Sequence, residues 1–225
     1  MLTGNAQLSR FVDTEVRPLL APDFTLYRKR ELVRMHGPFV QFLSLSVARG
    51  GSLRVYPTFF VVGADPSVPV IPQNVSLGAE DPAAWRFQGV VLDAEFARRL
   101  VRQVEAASPL SFTGPLAADG SAIARTFHVF EARTRHWSPS LYLAHFLLTA
   151  GSRQAAAAAA VGRARVRFAA LGERVTGDPP AWRIALGQRI AELERRVTSA
   201  DGQGLCRAES ERQAAEFGLP GIVWP

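Results

Sequence analysis

The chain has one lysine, one cysteine, four histidines and no long apolar run. Each scarcity removes a class of chemistry. Cys206 alone can form neither an intramolecular disulfide nor a cysteine-built zinc site, and its solitude fits a reducing compartment. Lys29 follows no glycine-rich loop and no GxxxxGKS/T occurs, which closes the P-loop route to nucleoside triphosphates. HExxH and GxSxG are absent as well, so neither a zincin site nor a hydrolase nucleophile elbow is present. The most apolar stretch, LYLAHFLLTA (141–150), falls short of the roughly 20 residues that span a bilayer. The opening MLTGNAQLSRFVDTEV lacks the basic start and apolar run of a secretory signal. These absences lead to an expectation: a cytoplasmic protein with no cofactor and no membrane association.

What is present is ample core. The 225 residues are 48% hydrophobic, enough for one large domain or two small ones. Charged residues make up 20%, which weighs against wholesale disorder. The net charge is +6, and every basic residue except Lys29 is arginine, whose planar fork pairs with carboxylates and phosphates.

Periodicity predicts an α+β chain. Residues 5–20 read as a helix with Leu8, Phe11, Val12, Val16 and Leu19 at helical spacing. Three strand-like runs follow, 24–37, 38–51 and 52–63. In the second, Phe39, Gln41, Leu43, Leu45 and Val47 alternate with Phe42, Ser44 and Ser46, the signature of a half-buried strand. Gly50-Gly51 suits a tight turn, and an antiparallel meander results. The proline-rich 64–74 reads as a loop. Asp93 is placed to cap a helix whose stripe is Phe96, Leu100 and Val104, flanked by Ala97 and Val101. A Pro/Gly/Ser-rich stretch at 108–121 marks a boundary. It separates an α+β meander domain (1–110) from a helical domain or extension (111–225).

In that second half, 121–137 reads as a helix, with an alternating strand (Arg125, Phe127, Val129, Glu131) as the other reading. A buried helix to Ala150 follows. Next come an alanine-rich helix with Val161, Phe168, Leu171 and Val175, and a helix 179–198 with Trp182, Leu186, Ile190, Leu193 and Val197. These last two form an antiparallel helical hairpin. A final helix, 206–217, ends at Gly218. The near-repeat DPAAWR (81–86) and DPPAWR (178–183) reads as two helix starts, with Asp as N-cap, Pro in the first turn and Trp ready to pack it.

The stretches LYRKRELVRMHGPFVQFLSLS, AAWRF and LDAEFARRLVRQVEAASPLSF loosely resemble the bacterial family called domain of unknown function 4304, over roughly residues 5–112. The resemblance implies the helix–meander–helix fold and a bacterial cytoplasmic setting. It transfers no functional residue, and the helical half lies outside it.

Candidate chemistry is sparse. His128, Glu131 and His136 could assemble a metal site for an enzyme, although a metal is not expected at that spacing. His145, inside an apolar run, reads as a satisfied core histidine. Cys206, beside Arg207 near a helix start, offers a lowered thiol pKa against an ordinary structural role. Positive charge is the remaining signal. Arg28, Lys29, Arg30 and Arg34 cluster in seven positions, and Arg163, Arg167 and Arg174 lie along one side of the alanine-rich helix with Arg153 near in angle. Six arginines in 151–183 face only Glu173 and Asp178. Such a stripe can track phosphates or stand as a solvated face.

The first expectation is therefore a non-catalytic bacterial interaction protein, an accessory, immunity-like or complex subunit that binds a protein partner. Nucleic-acid binding through the arginine-rich helical face is the alternative. A metal-dependent enzyme stands behind both.

Overall fold

The computed structural model describes residues 5–48, 51–64, 85–116, 120–133, 138–150, 154–172 and 180–224. The fold is α+β: an N-terminal helix, a five-stranded antiparallel sheet in the order β1-β2-β3-β4-β5, and then helices. The expected 64–74 loop lies outside the described residues beyond Ala64.

Helix α1 (Asn5–Phe11) does not continue straight to residue 20. It widens into a π turn at Val12–Val16 and tightens into a 3-10 turn at Arg17–Leu19. Pro18 has no N–H for an α-helical bond, so the chain closes on shorter bonds there. Leu8, Phe11, Val12 and Val16 still bury their side chains, and at the end Leu20 is buried where Leu19 was expected.

The run expected as one strand splits into β1 (Thr25–Arg28) and β2 (Glu31–His36). Between them, Arg28-Lys29-Arg30-Glu31 contains no apolar side chain to pin the chain across a sheet, and it turns instead. β3 (Phe39–Val47) is buried on both faces through Leu45, contrary to the half-buried expectation. It is the central strand, and its second face is furnished by its neighbours. Tyr27 meets Phe42 edge-on at 6.1 Å, and the Ser44 hydroxyl lies 3.5 Å from Glu31 Oε1. β4 (Leu53–Val61) returns through a turn where Gly51 has φ +77° and its N–H donates to the Ala48 carbonyl at 3.0 Å.

The first copy of the near-repeat is no helix start in its described part. Trp85 lies in a turn and Arg86–Phe87 forms β5. Residues 81–84 are outside the described residues. Helix α2 (Ala94–Ala107) is as expected: the Asp93 carboxylate accepts from Phe96 N–H at 2.8 Å, and Phe96, Ala97, Leu100, Val101 and Val104 are buried.

The chain divides into two compact units. The first comprises Met1–Met35, Val40–Phe59 and Pro72–Ala117. Its core includes Phe11 stacked on Phe96 at 5.9 Å and Phe24 on Phe112 at 5.6 Å. The second comprises His36–Phe39, Phe60–Ile71 and Ala118–Pro225. Within it α3 (Ser121–Arg133) is a helix, which resolves the open choice, and Phe127 meets Phe39 and Tyr142 edge-on at 6.0 and 6.2 Å.

α4 (Ser138–Ala150) is buried almost throughout its described length, from Pro139 to Thr149. α5 (Gln154–Gly172) and α6 (Ala181–Thr198) form the antiparallel hairpin: Gln154 reaches the Val197 carbonyl, and Phe168 lies beside Gly187 near the other end. Ala157, Ala160 and Ala164 form the buried side of α5 with Val161, which lets neighbouring helices approach closely. In α6 the stripe Leu186, Ile190, Leu193 and Val197 is buried, but Trp182 is 55% exposed. It sits in the first turn, beyond the part of the stripe that is covered. Pro180 is the N-cap of this helix, with no side-chain cap, and Asp178 and Pro179 are outside the described residues. α7 (Gly202–Phe217) starts four residues earlier than expected. It ends in a Schellman pair, Leu219 N–H to Ala214 and Gly218 N–H to Ala215, with Gly218 at φ +69°.

Candidate interaction surface

The basic cluster of the first unit comes apart by depth. Arg28 and Lys29 are exposed at the β1–β2 turn, with Arg28 over the Tyr27 ring at 4.8 Å and 3.9 Å from Glu31. Arg30 is half-buried and donates to Asn5 Oδ1 at 2.7 Å. Arg34 leaves the surface set altogether, since it is 1% exposed. Its position on β2 directs it inward. There it donates to Gln41 Oε1 at 3.0 Å, the Gly114 carbonyl at 2.7 Å, Asp23 at 3.3 Å and the Ser111 carbonyl, and it covers the Phe24 ring at 4.8 Å. Glu105 completes the loop by accepting from Ser111 Oγ at 2.6 Å and from Phe112 N–H at 2.6 Å. Arg34 is a brace that ties β2 to the 111–114 loop.

The arginine stripe of the second unit is also spent in part. Arg163 Nε lies 3.0 Å from Glu131 Oε1, and Arg167 donates to the Glu131 carbonyl at 2.7 Å. Both therefore fasten α5 to the C-terminal end of α3, where cations suit the exposed carbonyls. Arg174 and Arg153 lie outside the described residues. Arg165, 70% exposed at its side chain, is paired with Glu194 at 3.4 Å.

The metal-site candidates resolve similarly. Glu131 is 6% exposed, and its second oxygen takes His128 Nδ1 at 3.0 Å. Burial alone would raise its pKa, but hydrogen bonds and charge from Arg163, Ser140 and His128 outweigh it and hold the carboxyl below its usual value. Both oxygens are thus engaged by cationic or proton-bearing partners. His136 lies outside the described residues. Among the described residues no group of three His, Cys, Asp or Glu side chains could hold a metal ion.

A larger polar cluster surrounds His145, which is fully buried as expected. Its Nε2 lies 2.8 Å from Ser210 Oγ, and its Nδ1 lies 3.2 Å from Arg189 Nη2. A guanidinium only donates, so Nδ1 accepts and the ring proton sits on Nε2. His145 therefore donates to Ser210, and Ser210 donates onward to the Val62 or Cys206 carbonyl, each 2.9 Å away. That polarity is the reverse of a histidine activating a serine nucleophile. Burial, then the Arg189 and Arg196 charges, push the imidazole pKa well below its ordinary value.

The same groups clamp the turn after β4. Arg189 donates to the Gly63 and Ala64 carbonyls, and Gln213 accepts from Gly63 N–H. Gly63 has φ +82°, and a Cβ there would lie 2.7 Å from Ser210 Oγ and 2.8 Å from His145 Nε2. Only glycine fits. Glu209 bridges Arg189 at 2.7 Å and Arg196 at 2.6 Å, while Glu192 binds both arginines as well.

Cys206 is not at the first turn of its helix but at the fifth residue of α7, and it is fully buried. Burial raises its thiol pKa despite the nearby Arg196, which supports the ordinary structural role over the reactive thiol. A pocket of about 360 Å³ opens nearby between Leu147, Leu148, Arg196 and Gln203. Its donors are spent: Gln203 on the Thr149 carbonyl at 3.1 Å, and Arg196 on Glu192 and Glu209.

Among the described residues of the helical unit, several large apolar side chains are exposed. Val166 is 70% exposed on α5, and Trp182 and Ile184 are 55% and 51% exposed on α6. The sequence marked Trp182 as core, because helical spacing cannot tell a covered turn from an overhanging one. Arg54 and Arg86 went unnoticed in the sequence, since a two-residue strand has no periodic signal.

Fold and site together define an α+β protein without a recognisable catalytic constellation among its described residues. No family model, no curated protein and no solved structure matches the chain.

Proposed function

We propose that the chain is a non-catalytic interaction protein, a subunit or accessory factor that binds a protein partner through the exposed first turn of α6. The observation that carries this is Trp182. A tryptophan held on a helix, 55% exposed, with Ile184 two residues on, is the kind of side chain that dominates protein interfaces when a partner buries it. Among the described residues, the buried titratable groups of this unit pair with one another, as Glu131, Arg189, Glu192, Arg196 and Glu209 do, which supports the reading. A bacterial cytoplasmic setting belongs to the same proposal.

Affinity capture from native lysate with Trp182→Asp beside the wild type tests it. A partner retained by the wild type and by Val223→Asp, a change at another exposed apolar position, is expected to be lost from Trp182→Asp. Equal capture by all three chains, or no partner at all, rejects the proposal. Nucleic-acid binding through Arg163, Arg167 and Arg174 is carried less far, because the first two already hold α3. A mobility shift at low salt that Arg163→Gln abolishes would replace one proposal by the other.

A further inference from the structure

We infer that the sheet of the first unit carries an oxyanion site at its β4–β5 edge, built on Arg54 and Arg86 and suited to a phosphoryl group. The two strands pair Leu53 with Phe87 and Arg54 with Arg86. The bond from Val55 N–H to the Trp85 carbonyl, 3.0 Å, marks the next pair as hydrogen-bonded. Pair types alternate along an antiparallel ladder, so Arg54 and Arg86 form the non-hydrogen-bonded kind, with the closest side chains. Two guanidiniums stand side by side where like charges destabilise a sheet.

Neither arginine has a hydrogen bond or ion pair among the described residues. The placement is fixed by its neighbours. Trp85 is buried, and Phe87 meets Phe96 edge-on at 5.3 Å, so the alternation of β5 turns Arg86 to the opposite face. That face is open here and closed further along: Arg54 and Tyr56 are half-buried, whereas Thr58 and Phe60 are buried.

Two more donors border the pair. Tyr56 follows Arg54 on the same face. Ala48 N–H donates to the Ser52 carbonyl at 2.8 Å, and counting along this ladder puts Ser46 opposite Arg54. Neither the Tyr56 nor the Ser46 hydroxyl has a hydrogen bond among the described residues. One guanidinium satisfies the two oxygens of a carboxylate. Two guanidiniums with two hydroxyls match the three or four oxygens of a phosphoryl group. The bound anion also removes the repulsion that the bare pair suffers.

The phosphoryl group has two possible sources, a free phosphate or the backbone of a nucleic acid. The test titrates the full chain with inorganic phosphate and, separately, with a short single-stranded oligonucleotide, by calorimetry and thermal melting at low ionic strength. The variants are Arg54→Gln and Arg86→Gln, with Arg98→Gln/Arg102→Gln on the exposed face of α2 as the control. At least one ligand is expected to bind and raise the melting temperature. Either edge variant weakens binding about tenfold or more, as the loss of a charge-assisted contact implies. Without ligand, Arg86→Gln melts higher than the wild type.

Saturable one-to-one binding of phosphate alone assigns a free phosphoryl ligand. Tighter, strongly salt-dependent oligonucleotide binding that is lost in the same variants assigns backbone phosphate. Binding by neither ligand, or equal weakening in the α2 control, overturns the inference.

Discussion

Arg34→Met separates a surface cation from a buried brace. If Arg34 served an interaction surface, methionine in its place would leave stability unchanged. In the structure the substitution keeps a stem of similar length and removes every guanidinium donor. The Ser111 carbonyl retains the Gln41 amide at 3.2 Å, but the Gly114 carbonyl and Gln41 Oε1 lose their arginine donors. Each orphaned buried acceptor costs about 1–3 kcal/mol. Relief from burying the guanidinium offsets part of that sum, leaving a net destabilisation of about 3 kcal/mol. For a chain of this size that corresponds to a fall in melting temperature of roughly 10 °C. Urea denaturation followed by circular dichroism measures it, with exposed Lys29→Met as a control expected within about 0.5 kcal/mol of the wild type. The double variant Arg34→Met/Gln41→Leu should recover none of the loss, because Gln41 Oε1 leaves as an orphan while the Ser111 carbonyl, which the Gln41 amide served, is left without a donor. An Arg34→Met protein within about 1 kcal/mol of the wild type would refute the reasoning.

His145 predicts a pH dependence. Its folded pKa lies well below the unfolded value, so the unfolded chain binds the proton first. Stability from this group is complete above the unfolded pKa of about 6.5 and falls as the pH drops below it, by at most about 1.4 kcal/mol per pH unit, until the folded pKa is reached. The slope of unfolding free energy between pH 6.5 and pH 5 should flatten in His145→Asn; an unchanged slope assigns the dependence elsewhere. Cys206 should resist a thiol reagent such as dithionitrobenzoate in the native protein and react promptly in denaturant. Rapid labelling of the folded chain would contradict its burial.

Local order was legible in the sequence wherever one element carried its own signal. Asp93 with the Phe96, Leu100, Val104 stripe specified α2 because cap and period agree within a few turns. Gly218 marked the end of α7 for the same local reason. Elements were misread where the deciding partner was distant or the element was short. The 24–37 run looked continuous because alternation says nothing about where a charged stretch will turn. DPAAWR and DPPAWR looked alike, yet Trp85 and Phe87 alternate at the strand period while Trp182 begins a helix. Six residues are too few to fix a period when tertiary pairing supplies the choice.

Charge was the least legible quantity, and for a physical reason. A sequence counts guanidiniums; a surface is made only by those without partners. Arg34 is consumed by carbonyls 77 and 80 residues away, Arg163 by a carboxylate 32 residues away, and Arg189 by carbonyls more than a hundred residues away. None of these separations has a period, and none was visible as a run. Arg54 and Arg86 show the converse. Thirty-two positions apart in the chain, neither belongs to a basic cluster, yet the sheet sets them face to face with no ion pair to either among the described residues. A run of like charge is usually dissolved by folding, because its members find separate partners. A pair that folding creates and leaves unpartnered costs free energy in the empty protein, and that cost is what a bound anion removes.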